Sequence, residues 1–337
     1  MTDAAISVAG LAKRFAKVAA LSGIDFEVPA GTVFGLLGPN GAGKTTAVRV
    51  LATILRPDAG HAEVMGYDVV HDAAAVRFQI GLAGQNAAVD ANLTGRENLR
   101  LIGTLAQMPR REVAPRAAEL LERFDLSGAA DRPVRTYSGG MRRRLDVAAA
   151  LVRRPPVLFL DEPTTGLDIQ SRTELWAVIR ELVAGGSTVL LTTQYLEEAD
   201  RLADRIAVVD QGRIVADDTA KGLKDQVAST VIEIGMEDEE LAGQAEAALA
   251  RFSALRPERD GTLIRIASND SSKVLMDALR RLDAESLTPA TLTVREPTLD
   301  DAFLALTGKR CDDCLRAEPE TRAAAVSGAQ ASERSAA

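Results

Sequence analysis

Short runs of β-branched and apolar residues recur through the first two thirds of the chain, and between them lie stretches with helical spacing. "TVFGLLG", "PVLFLDE" and "STVLLTT" are apolar at nearly every position, which fits strands buried on both faces rather than strands with one wet face. "TTAVRVLATIL" and "REVAPRAAELLERFDL" repeat apolar residues at three- and four-residue intervals, the stripe of an amphipathic helix. The alternation predicts an α/β unit with a largely buried sheet over residues 1 to about 220.

A smaller rhythm follows. "TVIEIGM", a helical "EELAGQAEAALARF", "TLIRIAS", a helical "SKVLMDALRRL" and "ATLTVRE" predict an accessory α+β domain over residues 221 to 308. From Lys309 onward, "RAEPETRAAAVSGAQASERSAA" has too few large apolar side chains to repay the entropy of ordering, so residues 309 to 337 are expected to be a disordered tail.

Charge and composition narrow the classes. The 337 residues carry a formal charge of −8, which opposes a domain whose task is coating nucleic acid. The arginines of "MRRRL" are a local cluster within that balance. No run approaches the ~18 consecutive apolar residues of a spanning helix, and the start lacks the basic then apolar pattern of a signal peptide, so a cytoplasmic protein is expected. The two cysteines, Cys311 and Cys314, form one C-x-x-C without the second ligand pair of a structural zinc site. They are read as bystanders in a reducing compartment, with a redox or metal role as the alternative.

The first chemical motif is "GLLGPNGAGKTT". A strand at Val33 to Leu37 leads into Gly38, Pro39, Asn40, Gly41, Ala42, Gly43, Lys44 and Thr45, which fit G-x-x-x-x-G-K-[ST], with Thr46 next. The glycines let successive N–H groups face one centre, the helix that follows turns its positive end there, Lys44 adds a mobile charge, and the Thr45 hydroxyl suits Mg²⁺. A chance glycine-rich turn would lack the strand before and the apolar helix after.

The second is "PPVLFLDEP", which sets Asp161 and Glu162 at the end of a buried strand, where α/β sheets carry ligand sites. Two adjacent carboxylates there suit Mg²⁺ held by Asp161 through water and an attacking water faced by Glu162. A solvated strand end explains either one alone better than both.

At "TYSGGMRRRLDVAAALV" the sequence resembles the signature of ATP-binding cassette (ABC) ATPases, and the resemblance spans nearly the whole first domain. Ser138, Gly139 and Gly140 match its Ser-Gly-Gly, Gln85 in "GLAGQNAAVD" its Q-loop, Asp168 in "TTGLD" its D-loop, and Phe15 its adenine-stacking aromatic. Phe15 reads equally as a core residue. The resemblance implies a nucleotide-binding fold of the P-loop class: a mixed sheet core with a helical subdomain over about 86 to 150, opened by a capping box at Thr94 and Glu97. It also implies ATP and Mg²⁺ as ligands, Thr45, Gln85 and Asp161 around the ion, and a head-to-tail homodimer in which one copy's signature covers the other's ATP. A separate membrane permease, in two copies, would carry the ATPase at the cytoplasmic face of the membrane.

Within that family the chain looks most like the ATP-binding subunits of daunorubicin and doxorubicin resistance exporters, through "GQNAAVDANLTGRENL", "FLDEPTTGLD", "LLTTQYLEEADRLADRIAVVDQGRIVA" and "EPTLDDAFLALTG". Gln194 stands where the wider family usually carries a histidine, and Met141 where glutamine is commonest. The resemblance implies ATP hydrolysis powering efflux of a hydrophobic drug, with Glu162 orienting or deprotonating the nucleophile and Gln194 sensing geometry beside it. The alternatives are a nucleotide-gated module with little hydrolysis, which the missing histidine favours, and the energetic subunit of a lipid or polyketide exporter. An ATPase of DNA repair or translation would call for a coiled-coil insertion or a second cassette.

Overall fold

The computed structural model describes residues 4–84, 89–227, 230–250, 257–268, 271–295 and 298–307. Two compact units part between Ala220 and Lys221. In the first, β1 (Ala4–Phe15) and β2 (Val18–Pro29) form a long antiparallel pair. A second sheet begins at β3 (Val33–Leu37), while β4 (Ala59–Val64) and β5 (Tyr67–Asp68) extend the first sheet to the order β2-β1-β4-β5. To β3 are added β6 (Ile80–Ala83), β7 (Val157–Asp161), β8 (Thr188–Thr193), β9 (Arg205–Asp210) and β10 (Arg213–Asp218), in the order β10-β9-β3-β8-β7-β6. Its neighbours are parallel except β9 and β10, so the sheet is mixed, as expected from the resemblance.

The apolar runs alternate between two cores. Along β7, Val157 and Phe159 pack with the antiparallel sheet and α1 (Lys44–Leu51), whereas Leu158 and Leu160 point to the opposite core. That core also holds Leu120, Leu121, Trp176 and Ile179. Period-two alternation with both faces covered is why these strands read as continuous apolar runs. Each fully buried leucine or phenylalanine contributes ~1.5–3 kcal/mol relative to exposure.

The further helices are α2 (Ala73–Gln79), α3 (Gly95–Leu105), α4 (Arg110–Arg123), α5 (Gly139–Ala150), α6 (Ile169–Ala184) and α7 (Leu196–Leu202), followed by α8 (Ala220–Val227). The capping box opens α3: Glu97 N donates to Thr94 Oγ1 at 3.1 Å and Thr94 N to Glu97 Oε2 at 2.8 Å. One helix is shorter than its apolar pattern. α1 stops at Leu51, where Thr53 turns left-handed at φ 61° and both Ile54 N and Leu55 N donate back to Arg49 O.

The second unit is a four-stranded antiparallel sheet in the order β12-β13-β11-β14. Its elements are β11 (Thr230–Gly235), α9 (Glu239–Ala250), β12 (Glu258–Asp260), β13 (Leu263–Ser268), α10 (Ser271–Ala284), β14 (Thr291–Arg295) and α11 (Leu299–Thr307). Ile232, Ile234, Ile264 and Ile266 from the sheet meet Ala245 and Leu249 of α9 and Ala278 and Leu282 of α10. The expected tail, with Cys311 and Cys314, lies outside the described residues, as does Gln85.

Candidate functional site

Three segments meet at one edge of the mixed sheet. Residues 38–45 leave β3, Asp161 and Glu162 end β7, and Thr192 to Gln194 end β8, the strand hydrogen-bonded between the other two. Parallel neighbours finish at the same edge, so their carboxyl ends converge on one crevice.

The loop after β3 needs its glycines for different reasons. A Cβ on Gly38 would stand 2.2 Å from Val209 O, so the backbone leaves no room for a side chain. Gly43 has φ 111°, and a Cβ there would meet Ala20 O at 2.4 Å. Gly41 has φ 81° with open space around it, so conformation alone selects glycine. Ala42 is buried, Pro39 and Thr46 are half-buried, and Asn40 is exposed at the tip. Lys44, almost buried, lies along the loop: its Nζ donates to Gly38 O at 2.7 Å and Pro39 O at 3.1 Å and lies 3.4 Å from Glu162 Oε1. A cationic group, glycines at positive φ and a helix start together form a cradle for phosphate oxygens.

The two motifs predicted from separate stretches of sequence touch. Thr45 Oγ1 donates to Asp161 Oδ1 at 3.0 Å across 116 positions of sequence. Thr192, which sequence reading passed over as part of an apolar strand, organises the carboxylates: its Oγ1 donates to Asp161 Oδ1 at 2.5 Å and accepts from Glu162 N at 3.1 Å. Glu162 is a non-glycine residue at φ 50°, held there by a second acceptor for its N–H, Thr192 O. Left-handed backbone in a residue of this kind concentrates where function fixes a side chain's direction.

A hard divalent ion fits this donor set. Thr45 offers a hydroxyl and Asp161 a carboxylate oxygen 3.0 Å apart. Among the described residues no group of three or more His, Cys, Asp or Glu could form a protein cage for a metal. Such a set suits Mg²⁺, which keeps waters and takes its remaining oxygens from phosphates.

Gln194 is half-buried one residue beyond β8, and α7 begins two residues later. Glu198 of α7 is a fully buried carboxylate that accepts from Trp176 Nε1 at 3.1 Å. Burial pushes its pKa above the ordinary value, against the Trp176 hydrogen bond, and its Oε2 is buried without a hydrogen-bond partner among the described residues. Its signal in sequence was faint, one acid in an amphipathic acidic helix.

The remaining predicted residues lie on other surfaces. Ser138 caps α5, its Oγ accepting from Met141 N at 3.2 Å, and Ser138 and Gly139 are exposed. Asp168 caps α6 through Ser171: bonds from the Ser171 N–H at 2.8 Å and Oγ at 3.1 Å hold its carboxyl below the usual range. A Cβ on Gly140 would come 3.0 Å from Ser171 Oγ, so the two helix starts form one continuous surface. Phe15 is 46% exposed at the end of β1, which removes the core reading of that residue.

The sequence pattern of the family described as ABC transporter matches residues 21–165. A daunorubicin resistance ATP-binding protein (DrrA3) of Streptomyces coeruleorubidus is 52% identical over 310 residues, 91% of this chain and 97% of the relative. A daunorubicin/doxorubicin resistance ATP-binding protein (DrrA) of Streptomyces peucetius is 47% identical, covering 92% of this chain and 94% of the relative. Among solved structures, one titled as the ATP-binding subunit of an ABC transporter superposes with a TM-score of 0.60 at 27% identity, covering 66% of this chain and 92% of that one. With a glycine cradle, a threonine–aspartate pair and relatives matched along nearly their full length, the chain belongs to the ABC transporter family as one of its ATP-binding, ATP-hydrolysing subunits.

Proposed function

We propose that the chain powers efflux of a hydrophobic drug of the anthracycline class through a separate permease, hydrolysing Mg²⁺-ATP between two copies of itself. The observation that carries the hydrolytic reading is the contact of Thr45 with Asp161, beside the close approach of Lys44 to Glu162. Lys44 and the loop N–H groups would bind the β- and γ-phosphates, trading the Gly38 and Pro39 carbonyls for phosphate oxygens. Thr45, Asp161 and, by its motif, Gln85 would hold Mg²⁺. When bound, that ion would neutralise charge developing on the phosphates. Glu162, aimed by its left-handed backbone, would orient the attacking water, and Gln194 would contact the γ-phosphate as an uncharged sensor. Phe15, with its exposed ring, would stack on adenine.

The homodimer reading is supported by exposure. Ser138 and Gly139 stand open at the start of α5, and Ile169, the residue after Asp168, is 83% exposed. A second copy's nucleotide would give the α5 start its anion. The permease reading is supported by a groove of about 410 Å³ between α2, α3 and the end of α5. Phe78 and Leu105 are exposed along it, with the Arg153 guanidinium 4.1 Å from the Phe78 ring centre. An amphipathic cytoplasmic helix fits such a groove. Among the described residues no helix is long and apolar enough to cross a membrane. The cargo is drawn from the two Streptomyces relatives, named for daunorubicin or doxorubicin resistance.

Purified chain with ATP and Mg²⁺ is expected to release phosphate, and Glu162→Gln to bind ATP without turnover. Hydrolysis at the wild-type rate in that variant would remove Glu162 from its role. Vesicles carrying the cognate permease should move daunorubicin when loaded with wild-type chain; transport of a lipid or polyketide in its place would reassign the cargo.

A further inference from the structure

Of the three consecutive arginines in "MRRRL", Arg142 is exposed, and Arg144 reaches acids at Glu174 and Asp125. Arg143 turns inward. Its Nε donates to Pro163 O at 2.8 Å, one terminal nitrogen to Asp161 O at 2.9 Å, and the other to Gly84 O at 2.5 Å and Asp146 Oδ2 at 3.2 Å. Asp146, one turn along α5, is 1% exposed and fixes the guanidinium from behind. The bonded carbonyls are not arbitrary. Asp161 and Pro163 flank Glu162, the residue at φ 50°, and Gly84 immediately precedes Gln85 in sequence. The same helix starts at Ser138.

We propose that Arg143 is a positioning residue that clamps the left-handed Glu162 backbone to the helix carrying Ser138 and to the segment entering Gln85. This rests on the hydrolytic role of Glu162 proposed above. Nucleotide contact at the start of α5, or movement of the Gly84 segment, then reaches Glu162 through one planar fork of donors. Lysine keeps the charge but presents three donors on a tetrahedral centre, so it cannot hold three diverging carbonyls in the same geometry. Glutamine offers two donors and no charge.

The test is steady-state phosphate release by the full chain carrying Arg143→Lys or Arg143→Gln, measured with ATP affinity by a fluorescent analogue and with the melting temperature. Displacing a water-orienting group by a fraction of an ångström to about 1 Å lowers kcat about 10- to 100-fold. The expected result is that loss in kcat, with KM and ATP affinity within about threefold of wild type and a folded protein. A purely structural role would move melting temperature and affinity together with turnover in both variants, and that result overturns the proposal. So does failure of both variants to fold. If Glu162→Gln stops turnover while both Arg143 variants keep the wild-type kcat, the clamp is refuted and the role of Glu162 stands. If Glu162→Gln turns over freely, the role of Glu162 falls and the clamp with it.

Discussion

Gly41 and Gly43 have positive φ in the same loop, yet alanine should cost very different amounts at the two positions. At Gly41 (φ 81°) an added Cβ meets nothing within 4 Å, so the penalty is the left-handed backbone alone, ~1–2 kcal/mol. At Gly43 (φ 111°) the same methyl would stand 2.4 Å from Ala20 O and 3.1 Å from Leu21 Cδ2. Ordinary contact begins near 3.4 Å, so the Ala20 carbonyl, part of β2, has to retreat by roughly 1 Å, a distortion in the class of core overpacking at ~1–3 kcal/mol. The sum is ~2–5 kcal/mol. For a unit of this size ~1 kcal/mol lowers Tm by about 2–4 °C. Thermal melts of both variants without nucleotide should therefore show a small shift for Gly41→Ala and one about twice as large or more for Gly43→Ala. Equilibrium binding of a fluorescent ATP analogue should rank them the same way, because moving β2 opens the cradle where Lys44 lies. Equal melting shifts, or tight ATP binding by Gly43→Ala, would refute the packing argument for the second glycine.

Three further perturbations probe the site from other sides. Thr192→Val keeps shape while removing the hydroxyl that donates to Asp161 and accepts from Glu162 N, so kcat should fall about tenfold, in line with ~1–1.5 kcal/mol for a buried hydrogen bond; an unchanged kcat would deny Thr192 its organising role. Burial raises the folded-state pKa of Glu198 above its ordinary 4.5, so the stability it contributes is present below that value and fades as pH rises through the folded pKa. Between pH 5 and 8, wild type should lose melting temperature relative to Glu198→Gln, and parallel profiles would contradict the buried-acid assignment. Gln194→Ala should impair turnover, whereas Gln194→His should keep much of it and add a pH dependence near ~6.5, the ordinary imidazole value; full activity in the alanine variant would make this corner dispensable.

How much of this could be read from the residues follows from what each feature depends on. β3, β7 and β8 were legible because burial on both faces writes a continuous apolar run, and the α3 start because a capping box is local in sequence. The antiparallel sheet was not anticipated. β1 and β2 are interrupted by register shifts, one of them between Val8 and Leu11, where Gly10 sits at φ 59°, so the alternation that marks a half-buried strand breaks. The end of α1 escaped for another reason: its apolar spacing continues to Leu55, while the left-handed turn at Thr53 is set by two N–H groups returning to Arg49 O. Thr192 and Arg143 were invisible in kind. A threonine within an apolar strand and an arginine within a basic run look like packing and surface until tertiary contacts brought from 18 to 59 residues away show what they hold.

The strand order explains why the unusual residue at position 194 sits where it does. Because β8 runs between β3 and β7, Thr193 is level with Leu37, the last residue before the loop, and Thr192 is level with Asp161. The residue after Thr193 therefore emerges at the junction of cradle and carboxylates, whatever its chemistry. A histidine there would place a group titrating near neutral pH against the γ-phosphate; an amide keeps donor and acceptor but cannot change charge. On the proposed roles, a pH dependence of the wild-type rate would not come from residue 194, and Glu162 would orient its water without a titrating side chain at that position. That places unusual weight on the backbone of Glu162, which Thr192 holds from the β8 side through its hydroxyl and carbonyl oxygens.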